Sequence, residues 1–438
     1  MPNKADLTHR RLPVRPNLEQ LRHQAKDLLR AVRRGELSAI EDFNRFHPRI
    51  QVDPTDLSTA QRIKLADAQL ALARSYEAPS WSRLVQACQL VDAIWNDDPG
   101  AVLALVQKHP NLLQENAVIR NSNWGPPMSY AANLGHDRII KLLHKLGASD
   151  LEKAIDRAVL QSKIETARML HELLGSPVPP ADALDGPAYT LSASGTAFVL
   201  SKGGKVKDRS GKRLAPVDVV LETDSRKPDA KHQILEMYVQ HGLDLPDTPV
   251  MALHRGRIDL LQKHFERDPK LLERTFSHEE IYPPELGCHD EVLATQGTPL
   301  KGTSLLHLCI DYDELEIARW LLECGMDPDL KASVDEDGFG GHTPLFNTVL
   351  SQPNYWINRG RGLQAAPFTK LLLDHGANPN VRASLRKKLH PGYAPRYDVE
   401  TMYEYRDVTP LSWGRRFHAK VFVSEPALKL IEERGGQE

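Results

Sequence analysis

The side chains best suited to chemistry crowd into one stretch. Between Phe276 and Lys301, FSHEEIYPPELGCHDEVLATQGTPLK brings His278, Glu279, Glu280, Cys288, His289, Asp290 and Glu291 close together. Imidazole, thiolate and carboxylate form the ligand set for zinc or another divalent cation, with His278, Cys288 and His289 as the metal candidates. Without a metal, His278 or His289 would act as general base, assisted by Glu279, Glu280 or Asp290. The spacing matches no zinc motif, and no nucleophile–base pair is legible, so no reaction follows. A structural or partner-binding loop of the same composition is the competing reading.

Two further segments carry recognition chemistry. ASVDEDGFGGH (332–342) is acidic, whereas SLRKKLHPGYAPRYDVETMYEYRDV (384–408) opens basic. Aromatic and arginine side chains supply most of the energy of protein interfaces. Tyr282, Phe339, Tyr393, Arg396, Tyr397 and Tyr403 are therefore the expected contact residues for a partner. The basic run with Arg386, Lys387 and Lys388 faces Asp335, Glu336 and Asp337. It can pair with them, weakly if exposed, or hold an anionic partner. Asp311-Tyr312-Asp313-Glu314 is expected to be a solvated turn between helices. Ser201-Lys202-Gly203-Gly204-Lys205 lacks the spacing of a phosphate-binding loop.

The elements that carry these loops repeat. Thr343-Pro344-Leu345 opens a helix, with a hydroxyl for the cap and proline at the first helical position. A second helix centres on Leu371, Leu372 and Leu373, and Gly376 stands where a left-handed residue ends it. The pattern recurs from Pro127 to Gly147, from Ser304 to Gly325, and from Thr409 to Gly435. Degenerate copies begin at Ala215 and Thr248. This unit resembles an ankyrin repeat, a two-helix module of about 33 residues opening T-P-L-H-x-A. The resemblance implies an all-α fold, a solenoid of stacked helix pairs. It implies a protein partner bound on the concave face by inter-repeat fingers and inner helices. It also implies that His307 makes a structural hydrogen bond between repeats, and His342, just before a Thr-Pro opening, can tie down its turn.

The expected organisation is a flexible arm at 1–16, a helical N-terminal cap or divergent repeats at 17–90, and the ankyrin array at 91–438. Asn17 and Ser80 are read as helix caps in the second of these. Long loops are expected at 176–213, 276–301, 332–342, 351–367 and 384–408. A hydrophobic content of 41%, a charged content of 26% and a formal net charge of −2 fit an ordinary globular chain and give no basic field for nucleic acid. No segment approaches the 18 or so apolar residues of a membrane span, and MPNKADLTHRRLPVRPN has no signal-peptide core. Cys88, Cys288, Cys309 and Cys324 show no CxxC pairing. The chain is thus expected to be a cytoplasmic monomer with reduced thiols and no cofactor beyond the metal alternative.

Overall fold

The computed structural model describes residues 9–119, 123–288, 297–360, 362, 365–389 and 401–438. The chain divides into two compact units, Met1–Val178 and Pro179–Glu438.

The first unit begins with helices Leu18–Arg33, Leu37–Phe46, Ser58–Arg62, Leu65–Ser75 and Trp81–Trp95. Asn17 and Ser80 cap the first and last of these through side-chain oxygens, as their positions predict. Two apolar clusters bury the helices' inner faces. Leu21, Ala25, Leu72 and Leu84 form one, and Val32, Ile40, Phe43 and Ile63 the other. Residues 9–16, expected within a loose arm, are tied down. Arg10 N–H donates to the Ser75 carbonyl at 2.8 Å, and the Tyr130 hydroxyl donates to the Val14 carbonyl at 2.9 Å. Two helix pairs follow, Pro127–Leu134 with Asp137–Lys145, and Leu151–Leu160 with Ile164–Leu173.

The second unit contains six helix pairs among the described residues. They open with Asp185–Tyr189, Val217–Glu222, Pro249–His254, Leu305–Asp311, Pro344–Val349 and Pro410–Arg416. Thr248 and Thr409 cap their helices with side-chain oxygens, each followed by proline. Gly242, Gly325, Gly376 and Gly435 hold positive φ angles just past the second helices, the conformation that stops a helix there.

Among the described residues, four of the expected loops contain regular structure, one of them 276–301 with the one-turn helix His278–Ile281. Asp185–Tyr189 and Ala193–Ser201 are helices inside 176–213, and its Ser-Gly step lies in a turn closed by the Lys207–Arg213 bridge. Ser192 caps the second, and burial of Gly195, Thr196 and Phe198 overrides their weak helix propensity. Gln352–Arg359 is a helix within 351–367, held by Tyr355 stacking on Phe422 at 4.9 Å. Ala383–Lys387 and Tyr403–Val408 form an antiparallel pair at the two ends of the expected loop 384–408.

The turn at 311–314 overturns its expected solvation. Arg226 pairs with Asp311 at 2.9 Å, with the two side chains 2% and 0% exposed. Lys231 pairs with Glu314 at 2.9 Å, equally buried, and His232 reaches the same carboxylate at 2.8 Å. Burial would raise the Glu314 carboxyl, but Lys231 and His232 outweigh it and hold it below the usual carboxylate range. Arg226 and Lys231 both lie over the Tyr312 ring, at 4.6 and 4.5 Å. The Tyr312 hydroxyl bonds the Leu221 carbonyl at 2.8 Å and the Tyr282 hydroxyl at 3.0 Å. Asp311 also accepts from the Gln352 N–H at 3.2 Å. In a one-dimensional repeat stack each repeat touches only its neighbours. Here residues 221–226 reach the helix pair of residues 305–323, passing the pair of residues 249–267.

Candidate functional site

The fingers of the second unit are stitched edge to edge by main-chain hydrogen bonds. Phe276 N–H donates to Thr303 and Gly302 N–H to Phe276, each at 2.8 Å, and Ser333 N–H donates to Gly302 at 2.8 Å. The hairpin 332–342 closes through the Val334–Gly340 bridge, and Gly340 N–H donates to Ser384 at 2.7 Å. The Leu385–Tyr405 and Lys387–Tyr403 pairings complete the ladder. Gly340 is required where the hairpin crosses its neighbour. Its φ is +124°, and a Cβ there would sit 2.0 Å from the Ser333 carbonyl oxygen.

Beside this ladder lies a cleft of about 960 Å³. Its lining comes from residues 275–280, 299–302, 333–342 and 385–388, together with Met402. One wall is braced by charge. Arg386 bonds both Asp335 and Asp337 at 2.8 Å, which is the expected inter-finger pairing. Its guanidinium also lies over the Phe339 ring at 4.8 Å, and that of Arg406 lies over the same ring at 4.3 Å. The floor is braced by two histidines. His307 is buried, accepts from Ser304 N–H at 3.2 Å and donates from Nε2 to the His342 carbonyl at 3.2 Å. His342 donates from Nε2 to the Pro299 carbonyl at 3.0 Å. Desolvation holds His307 well below its ordinary pKa and His342 down to about 4, so both are neutral struts.

The candidate residues scatter instead of converging. His278 opens a one-turn helix and packs its ring against Tyr282, centroids 5.1 Å apart. Glu279 is exposed, and its own main-chain N–H with the Ser277 hydroxyl holds its carboxyl below the ordinary value. Glu280 closes a capping box with Ser277 and pairs with Arg274. Cys288 is buried, and desolvation pushes its thiol well up, away from the thiolate a metal needs. His289 and Asp290 lie outside the described residues. Among the described residues no group of three or more His, Cys, Asp or Glu side chains is placed to hold a metal ion.

The expected partner contacts divide similarly. Tyr282 is 1% exposed with its hydroxyl engaged by Tyr312, so it belongs to the core of the unit. Phe339 lines the cleft but is itself covered by the arginines. Tyr403 is half-buried and stacks on His418 at 3.9 Å. Tyr393, Arg396 and Tyr397 lie outside the described residues. The exposed side chains of the cleft include Glu336 and Lys388, which the sequence singled out, and Val334 at 61%, Met402 at 49% and Lys301, which it did not. Their signal was present, since Val334 and Met402 are apolar residues standing alone among polar finger residues.

Comparison with known proteins agrees with this geometry. The ankyrin repeat family model matches residues 301–333, which hold the pair Leu305–Asp311 and Leu315–Glu323. That match shows an ankyrin repeat at residues 301–333, and short helix pairs of the same kind recur along the second unit. Among solved structures, the human ASB11 ankyrin repeat domain is similar at 14% identity, covering 71% of this chain and 99% of that one, with a TM-score of 0.26. The ankyrin repeat domain of Bcl-3, a member of the IkappaB protein family, is similar at 14% identity, covering 65% of this chain and 99% of its own, with a TM-score of 0.22. No curated protein matches the sequence. Ankyrin repeat domains in general mediate protein–protein interaction. Among the described residues no helix is long and apolar enough to cross a membrane.

Proposed function

We propose that this chain is a protein-interaction scaffold whose partner occupies the concave cleft between the fingers of the second unit. The observation that carries this reading is the cleft itself. Its volume of about 960 Å³ sits at the top of the range for small-ligand pockets, roughly 300–1,000 Å³, and successive fingers form one continuous wall. Its side chains are spent on bracing that wall, and the exposed remainder is a mixture of apolar and charged tips suited to an interface. Tyr403 remains a proposed contact residue, as do Tyr393, Arg396 and Tyr397, which lie outside the described residues.

The test is site-specific photo-crosslinking. A photoreactive residue replacing Glu336 in the cleft should yield partner adducts, and one replacing Glu316, exposed on the outer helix Leu315–Glu323, should not. Equal yields from both positions, or adducts from the outer helix alone, would place the contact elsewhere.

A further inference from the structure

Residues 297–300, Gly-Thr-Pro-Leu, form a strap that leaves the fingers and lies on the helices. Thr298 N–H donates to the Leu350 carbonyl at 3.0 Å, and its hydroxyl donates to the same oxygen at 2.9 Å. That hydroxyl also accepts from Trp413 Nε1–H at 3.0 Å. The Pro299 carbonyl takes the His342 Nε2–H described above, and Leu300 is wholly buried. Gly297 has no room for a side chain, since a Cβ there would sit 2.6 Å from the Ser351 Cα. The strap thus fills a groove formed by Pro344–Val349 and Pro410–Arg416, the first helices of the two pairs that follow residues 305–323. The fit is incomplete. Asn347, next to Phe346, and Gln352, next to Ser351, are wholly buried, and among the described residues neither side-chain amide has a hydrogen-bond partner. Such an amide has given up water and received nothing in exchange.

We infer that this groove is a peptide-binding site filled in cis, and that the partner displaces the strap with a segment of the same chemistry, a glycine, a hydroxyl residue, a proline and an apolar residue in succession. Each position has a reason in the groove. Ser351 admits only glycine, the Trp413 indole and the Leu350 carbonyl need a hydroxyl between them, and the site of Leu300 is dry. The unpartnered amides leave hydrogen bonds for a longer segment to make. A strap in the same chain competes at high effective concentration, so the displacing segment is one delivered by a partner already seated nearby. Pro299 and His342 also line the finger cleft, which places the strap in its floor. The inference therefore rests on the scaffold reading above and names the sequence chemistry of the partner.

A fluorescein-labelled peptide with the sequence of residues 294–302, ATQGTPLKG, tests it by fluorescence polarisation with the whole chain. The Gly297→Ala/Thr298→Ala variant, whose own strap no longer fits, should bind this peptide roughly tenfold or more tightly than the unaltered chain does. A peptide carrying the same two substitutions should lose that affinity on the variant. So should the unaltered peptide once Trp413→Phe removes the indole N–H from the groove. Circular dichroism checks that each variant is folded. Where the double variant is not, Thr298→Val, which keeps the shape of the side chain and removes only its hydroxyl, takes its place. No gain when the strap is weakened, equal binding of the two peptides, or binding indifferent to Trp413→Phe would each overturn the inference and leave residues 297–300 a fixed part of the core. If the peptides fail while crosslinking from position 336 still captures a partner, the cleft is the interface and only the role assigned to the groove is wrong.

Discussion

Two regions of the second unit are built from the same kinds of residue and do opposite things with them. Around Tyr312, Arg226, Lys231, Asp311 and Glu314 are withdrawn from water and matched charge for charge. In the finger cleft, Arg386 is half-exposed while Lys301, Glu336 and Lys388 reach into solvent. A buried ion is tolerable only while its partner remains, because desolvation is repaid only by a well-placed opposite charge. A solvated ion carries no such obligation and can be offered to a second molecule. Charge near Tyr312 therefore holds the unit together, and charge in the cleft is free for recognition.

The sharpest way to break this contrast is to remove one charge from each region. Asp311→Ala removes the carboxylate that pairs with buried Arg226 and should cost about 3–5 kcal/mol. The measurement is hydrogen exchange of helix Leu305–Asp311, with denaturant unfolding as the global readout. Arg226→Met/Asp311→Leu should recover much of the loss, because no lone charge is left behind. In the cleft, Glu336→Lys should leave the unfolding midpoint unchanged. A comparable loss from that change would erase the distinction between the two regions.

Acidification probes the histidine floor of the cleft. His342 titrates near 4 in the fold and near its ordinary value of 6.5 once unfolded. The unfolded chain therefore binds the proton first, and stability falls as pH drops from about 6.5 and stops falling on this account below about 4. The single site is worth about 3 kcal/mol over that window. Denaturant midpoints between pH 7.5 and 4 should show the slope, and His342→Asn should make it shallower, the buried His307 and His254 supplying the rest. An unchanged slope in that variant would mean that His342 is solvated like the rest of the cleft.

A smaller effect belongs to the ladder. Gly340→Ala brings a methyl group onto the Ser333 carbonyl in a left-handed conformation and should cost about 1–3 kcal/mol. The expected signature is faster exchange confined to residues 332–342. Wild-type exchange in that hairpin would mean that the wall of the cleft adapts instead of standing rigid.

Local signals were legible in the sequence. Thr248-Pro249 and Thr409-Pro410 start helices, and Gly325, Gly376 and Gly435 stop them, because a cap is satisfied within a few residues of itself. His307 could be placed as a structural histidine because its bond to the His342 carbonyl follows from its position in the repeat. The helix Ala193–Ser201 was illegible, since glycine and serine form it only when the pair Val217–Glu222 and Pro228–Gln240 packs nearby. The strand pair of residues 383–387 and 403–408 was illegible for a related reason. Its register depends on Gly340 in a different finger.

The sequence alone determined the repeating unit, its all-α character and the positions from which fingers project, all consequences of interactions spanning a few residues. Only the tertiary structure decided which charges are buried. Asp311 and Glu314 read as a solvated acidic turn until Arg226 and Lys231, some eighty residues away, are seen against them. Tyr282 and Cys288 read as surface groups on an enlarged loop until the helices around them close. Burial is a property of everything packed around a side chain, and it separated the residues that hold this fold from those left free to bind.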